Sequence, residues 1–201
     1  MGLTIDPFSF PDPELSESAG SSAKTHLSVV LGGGCFWCTE AVYTQLTGVL
    51  SVRPGYAGDS KETADYKTVC TGRTNQAEVI EVKYDPAQLG LGQILKIFFS
   101  IAHDPTQKDR QGADVGRQYR SVIFYEDAQQ QKVAQAYIDQ LNQAKVFDAP
   151  IVTELSPLVE FFEAEEYHHN YAALNPNQPY IRGVSAPKVA KLRKVYEALL
   201  K

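Results

Sequence analysis

Cysteine is scarce in this sequence, and positive charge is outnumbered by negative. Three cysteines, Cys35, Cys38 and Cys70, stand in 201 residues, and the odd count excludes the closed disulfide framework of a small secreted domain. Against 24 acidic residues there are only 19 Lys and Arg, a formal charge of −5. No basic run is interleaved with aromatics, so nucleic acid is not expected as a partner. The densest positive stretch, Lys188, Lys191, Arg193 and Lys194, lies beside Val189, Leu192 and Val195 and reads as the solvated face of an amphipathic helix. Long apolar runs are missing too. Residues 94–101 are broken by Lys96 and Ser100, so no membrane span is expected. Residues 1–22 hold Asp6, Asp12, Glu14 and Glu17, no Lys or Arg and no apolar core, so no secretory signal is expected there. These absences predict a cytoplasmic, monomeric protein whose cysteines are free for redox chemistry or metal binding.

What is present suits one domain: 43% of the residues are hydrophobic, enough for a single buried core. The acidic, Pro- and Ser-rich residues 1–25 read as an extended, flexible arm, and residues 26–201 as the folded domain. The pattern predicts strands at 27–31, 49–56, 77–84, 120–125 and 151–155. Helices are predicted at 35–46, 65–70, 91–102, 127–145, 163–174 and 187–200, with Asp127 as an N-cap and Pro187 in a first helical turn. Residues 103–116 carry little periodicity and read as a long functional loop. Strands separated by single helices suggest α+β or α/β, a mixed sheet with helices packed on it.

The chemistry concentrates in Gly32-Gly33-Gly34-Cys35-Phe36-Trp37-Cys38, where a strand turns into a helix. Three glycines in a row suggest unusual torsions or a close approach. A thiolate at a helix start meets unpaired N–H groups and the positive end of the helix dipole, so the local reading is a stabilised thiolate at Cys35. Cys38, one helical turn on, reads as the other half of a redox pair or as a buried thiol facing the sheet. Cys70 has no such context and reads as a small buried residue. Phe36 and Trp37 divide evenly between core and the wall of an apolar pocket. For zinc, the adjacent His168 and His169 are the one compact histidine pair, a weak signal. A thioredoxin-like disulfide oxidoreductase, a redox sensor and a metal-binding module all stay open on these residues.

Gly34-Cys35-Phe36-Trp37-x-x-Glu40 resembles the signature of the peptide methionine sulfoxide reductase A family. The likeness extends through Tyr66-Lys67-Thr68-Val69-Cys70-Thr71-Gly72, Ala77-Glu78-Val79 and His103-Asp104-Pro105-Thr106. Arg110-Gln111-Gly112-x-Asp114-Val115-Gly116-x-Gln118-Tyr119-Arg120-Ser121, Ala164-Glu165-x-Tyr167-His168 and Asn175-Pro176-Asn177-Gln178-Pro179-Tyr180 follow in family order. One departure is Asn75-Gln76, where the family usually has Gly-His; another is that no recycling cysteine follows Cys70.

The resemblance implies an α+β fold, a single two-layer domain with a mixed β-sheet and a ferredoxin-like core. It implies thiol-dependent reduction of free or peptide-bound methionine (S)-S-oxide, and so repair of oxidised proteins, with no bound cofactor and no metal. Cys35 would be the nucleophile and Glu78 the acid, a buried carboxyl kept neutral; without the motif, Glu78 reads as a solvent-facing residue of an edge strand. Tyr66 and Tyr119 would donate to the sulfoxide oxygen, Asp114 would orient the site or the substrate, and Phe36 and Trp37 would hold the methyl group. The sulfenic acid left on Cys35 would be resolved by Cys38 first, Cys70 second or an external thiol third. Thioredoxin, or dithiothreitol, would supply the electrons.

Overall fold

A computed structural model describes residues 5–16 and 26–201. Strand β1 (Leu27–Gly33) is buried on both faces from Val29 onward, so it belongs in the middle of a sheet. It leads into helix α1 (Phe36–Tyr43), and the chain returns as β2 (Val49–Ala57). The short α2 (Tyr66–Cys70) precedes β3 (Ala77–Tyr84). Next comes α3 (Leu91–Ile97), which widens into a π turn at Phe98–Ala102. A hairpin of two-residue strands, β4 (Arg110–Gln111) and β5 (Asp114–Val115), gives the 103–116 loop an internal tie before β6 (Ser121–Tyr125). The remaining elements are α4 (Ala128–Gln143), β7 (Glu154–Pro157), β8 (Phe161–Glu163), α5 (Tyr171–Leu174) and α6 (Ala186–Val195). Asp127 caps α4 by accepting from the Gln130 amide, and Pro187 sits in the first turn of α6.

The main sheet has the order β7-β6-β1-β3-β2-β8, antiparallel except for the β6–β7 pair. Its inner four strands with α1 and α3 make two interlocked β-α-β units, the ferredoxin-like arrangement within a single α+β domain. Alternation along β3 sends Glu78, Ile80, Val82 and Tyr84 to one face and Ala77 and Val79 to the other. The first face meets α1, α3 and α4 in the main core, together with Val29, Leu31 and Ile123. The second carries a smaller cluster of Val30, Ala57, Ala77, Val79, Val122 and Phe124 under Leu158 and Phe161. Glu78 thus lies on the helix-covered face of a central strand, buried, and not on a solvated edge.

Residues 5–16 lie against α3 and α4. Phe10 is buried edge-to-face on Phe147, and Tyr137 and Gln140 donate to the carbonyls of Pro11 and Asp12. The rest of the acidic arm, 1–4 and 17–25, lies outside the described residues.

One predicted element is corrected. The helix expected over 163–174 is instead the end of β8, a single 3-10 turn at Glu166–His168 and the four-residue α5. Tertiary bonds overrule the local preference. Glu163 pairs with Gly55 in the sheet, and Glu165 accepts from the Tyr66 amide and the Tyr56 hydroxyl. Asn170 takes a left-handed φ of 53° while its amide donates to buried Glu40.

Candidate active site

The turn that presents Cys35 is set by Gly34. Its φ is +86°, and a Cβ there would lie 2.7 Å from Gln111 Cγ, so any side chain is excluded on two counts. Cys35 becomes the N-cap of α1, its carbonyl accepting from the amides of Cys38 and Thr39. The next amide, Phe36 N–H, does not face the sulfur. It donates to Glu78 Oε2 at 3.1 Å and so locks the acid to the helix start.

This corrects the stabilised thiolate read from the sequence. Burial raises the Cys35 thiol well above its ordinary range, with the hydrogen bond to Cys38 and the Glu78 carboxylate acting the same way; the Trp37 amide opposes them and loses. Across the shared hydrogen bond, Cys38 is brought down to about 7, helped by Lys188 and the Tyr180 hydroxyl against its own burial. Burial pushes Glu78 up to about 8, against the pull of the Phe36 amide and with the neighbouring Asp114 adding to the rise. The resting site therefore holds a thiol and a carboxylic acid at neutral pH.

The strand start that carries Glu78 is fixed by the two residues that depart from the family pattern. Buried Gln76 donates to Ser60 O and Thr63 Oγ1, and the carbonyls of Asn75 and Gln76 accept from the Arg120 guanidinium.

Cys35, Phe36, Trp37, Tyr66, Glu78, Asp114 and Tyr119 line one cavity of about 220 Å³ together with Gln178 and Tyr180. Five separate stretches of chain meet there. Burial raises the hydroxyls of Tyr66 and Tyr119 above the usual phenol range, so both stay protonated donors. Cys38 is buried one turn below, its Sγ donating to Tyr180 Oη at 3.9 Å, and Tyr180 in turn donates to Asp114 Oδ2 at 2.5 Å. Cys70 is exposed, contrary to its core reading, because Val69 takes the inward position on α2; its thiol is hydrogen-bonded to Tyr66.

Five further residues shape the site; sequence reasoning gave four of them no role and read the fifth, His168, only as a weak zinc signal. Trp37 donates from Nε1 to His168 Nδ1 at 3.0 Å and stacks on Tyr171 at 3.9 Å and 11°. His168 is fully buried against Phe36, Tyr66 and Tyr167. The signature Glu40 holds the Asn170 amide and so delivers Tyr171 to the indole. Tyr180 and Gln178 close the far wall. All but Tyr171 stand inside the quoted motifs, which was the available signal. His169 is turned away to the Ala164 carbonyl, and no group of three or more His, Cys, Asp or Glu among the described residues could hold a metal ion.

A phenol pair, a neutral carboxyl and a thiol around one small cavity with aromatic walls suit reduction of a polarised oxygen on a soft, apolar centre. Comparison with known proteins points the same way. The family model described as peptide methionine sulfoxide reductase matches residues 27–199. Peptide methionine sulfoxide reductase MsrA 2 of Synechocystis sp. is 46% identical over 200 residues, which covers 98% of this chain and 94% of that protein. Among solved structures, reduced Mxr1 from Saccharomyces cerevisiae superposes with a TM-score of 0.68 at 31% identity, covering 82% of this chain and 92% of its own. The same yeast protein in complex with Trx2 shares the fold, with a TM-score of 0.50 at 24% identity over 79% of this chain and 93% of its own.

Proposed function

The chain belongs to the peptide methionine sulfoxide reductase family, and we propose from that premise that it reduces L-methionine (S)-S-oxide, free or in oxidised proteins, to methionine. The observation that carries the mechanism is the Phe36 amide bond to Glu78, which holds a neutral acid and the Cys35 thiol on one cavity. The methyl group lies against Phe36 and Trp37, the oxygen meets Tyr66, Tyr119 and Glu78, and Asp114 orients the substrate.

Glu78 gives its proton to the sulfoxide oxygen while the Cys35 sulfur attacks the substrate sulfur. The thiol proton refills Glu78, so methionine leaves, Cys35 becomes a sulfenic acid and no net proton is consumed. A thiol with a raised pKa fits this step, because the reaction needs the proton it carries. Cys38 then attacks the sulfenic sulfur, expels water and closes a Cys35–Cys38 disulfide. Thioredoxin, or dithiothreitol in its place, reopens the disulfide, and the reaction runs in the cytoplasm, where thiols are kept reduced.

Methionine release from the separate epimers with dithiothreitol tests the activity: turnover of the S epimer alone is expected, and turnover of neither removes the proposal. Without reductant, wild type should lose two thiols per methionine formed and Cys38→Ser only one. An unchanged loss of two in the variant eliminates Cys38 and promotes Cys70.

Trp37 is the sole tryptophan, so its emission reports its own anchoring. Asn and Leu have nearly one shape, but only Asn offers an acceptor near the position of His168 Nδ1. His168→Leu should shift the emission maximum and raise KM about tenfold with less change in kcat, because a loose indole weakens binding more than chemistry. His168→Asn should recover most of both. Equal behaviour of the two variants would reduce His168 to a space-filler.

A further inference from the structure

Cys35 lines a second cavity, of about 360 Å³, on the other side of Asp114 and Tyr180. These three residues are the partition between the two spaces. The second cleft is walled by the 103–113 loop and by the turn that starts α6, including Gly183, Val184 and Lys188. Cys38 is only 1% exposed and lines neither cavity. None of the roles assigned to the substrate uses this cleft.

We propose that the second cleft is the entrance for the reductant's thiolate, which attacks the sulfur of Cys35 and expels Cys38. The inference rests on the reading that Cys38 closes the disulfide. Access decides which sulfur is struck: Cys35 faces a cavity wide enough for a thiol and the atoms behind it, while Cys38 lies behind Tyr180 and Cys35. The groups around Cys38 suit a departing thiolate. Lys188 attracts its charge and is held in place by a 2.6 Å bond to the Ala102 carbonyl. Thiol–disulfide exchange is faster when the leaving thiol is the more acidic one.

The bookkeeping closes on two electrons. The incoming thiolate forms a bond to Cys35 as the Cys35–Cys38 bond breaks, and Cys38 keeps the electron pair. A second thiol from the reductant then attacks the incoming sulfur, releases a reductant disulfide and returns Cys35, which takes up a proton. With the entrance on one side and the sulfoxide cavity on the other, reduction does not wait for methionine to leave.

Gly183 offers a clean obstruction. No heavy atom lies within 4 Å of where its Cβ would be, and it does not line the sulfoxide cavity. Gly183→Phe should lower kcat/KM for dithiothreitol at least tenfold, while methionine formed in the first turnover without reductant stays within twofold of wild type. That first turnover also reports that the variant is folded. In parallel, oxidised wild type is exposed briefly to glutathione, quenched in acid and alkylated in denaturant. Glutathione should map to Cys35 and the alkyl group to Cys38. Glutathione on Cys38, or an unchanged kcat/KM in Gly183→Phe, overturns the proposal. A first-turnover disulfide other than Cys35–Cys38 would instead strike the Cys38 reading; the Cys35 sulfur would still be reached through the same cleft, and Gly183→Phe alone would decide.

Discussion

Glu78→Gln is expected to slow methionine formation by about two to four orders of magnitude, the usual contribution of a placed acid, while making the protein more stable above neutral pH. Glutamine keeps an oxygen for the Phe36 amide and cannot give up a proton, so the geometry survives and the chemistry does not. The stability change follows from the direction of the shift. Burial raises the Glu78 carboxyl from 4.5 to about 8. The unfolded chain therefore releases this proton near 4.5 and the folded one holds it until about 8. Between those values the unfolded state binds fewer protons, so stability falls as pH rises and stays reduced above the folded value. The effect is at most about 5 kcal/mol at alkaline pH and vanishes below 4.5. Urea unfolding at pH 4 and pH 9 checks it: wild type and variant should converge at the lower pH and separate, variant above wild type, at the higher. Activity carries the same signature, since the wild-type rate should hold level below pH 8 and decline above it as the acid is lost. A rate that climbs through pH 8 would count against Glu78 as the proton donor.

The strand, glycine turn and helix around Cys35 could be read locally because each link is a neighbour of the next, and a positive φ has one common solution. The number and positions of the inner strands followed from alternation and length, whereas their arrangement across the sheet came only with the family resemblance. Glu78 was harder. Period-two alternation on β3 says that Glu78 and Val79 face opposite ways but not which of them is inside; only the motif pointed inward, and the α1 amide waiting there is a long-range fact. The stretch from 163 to 174 misled for the same reason. Its local pattern favours a helix, yet Glu165, His168, Asn170 and Tyr171 are each claimed by a partner more than 90 residues away in sequence, and the chain bends to serve them. Cys70 failed at smaller scale, because α2 has only five residues and one inward position, which Val69 occupies.

Cys35→Ser should remove methionine formation altogether, in the first turnover as well as the steady state, since a serine hydroxyl cannot become the two-electron donor to a sulfoxide. The sharper expectation concerns the resting wild type. Dipole reasoning at a helix start would make Cys35 a thiolate below pH 7, whereas the geometry gives the Phe36 amide to Glu78, leaves only the Trp37 amide for the sulfur and buries it beside a carboxyl. Burial and the nearby acid win, so iodoacetamide labelling of Cys35, mapped by mass, should be slow at pH 7 and still rising beyond pH 9. Removing the carboxylate must then ease ionisation. In Glu78→Gln the same curve should shift toward lower pH, because the repulsive charge that appears near pH 8 is gone. A labelling midpoint below pH 8 in wild type would show that the helix start outweighs burial, and the thiol proton would no longer be available to refill Glu78. A midpoint unmoved by Glu78→Gln would uncouple the two groups, and the proton would have to reach Glu78 by another route.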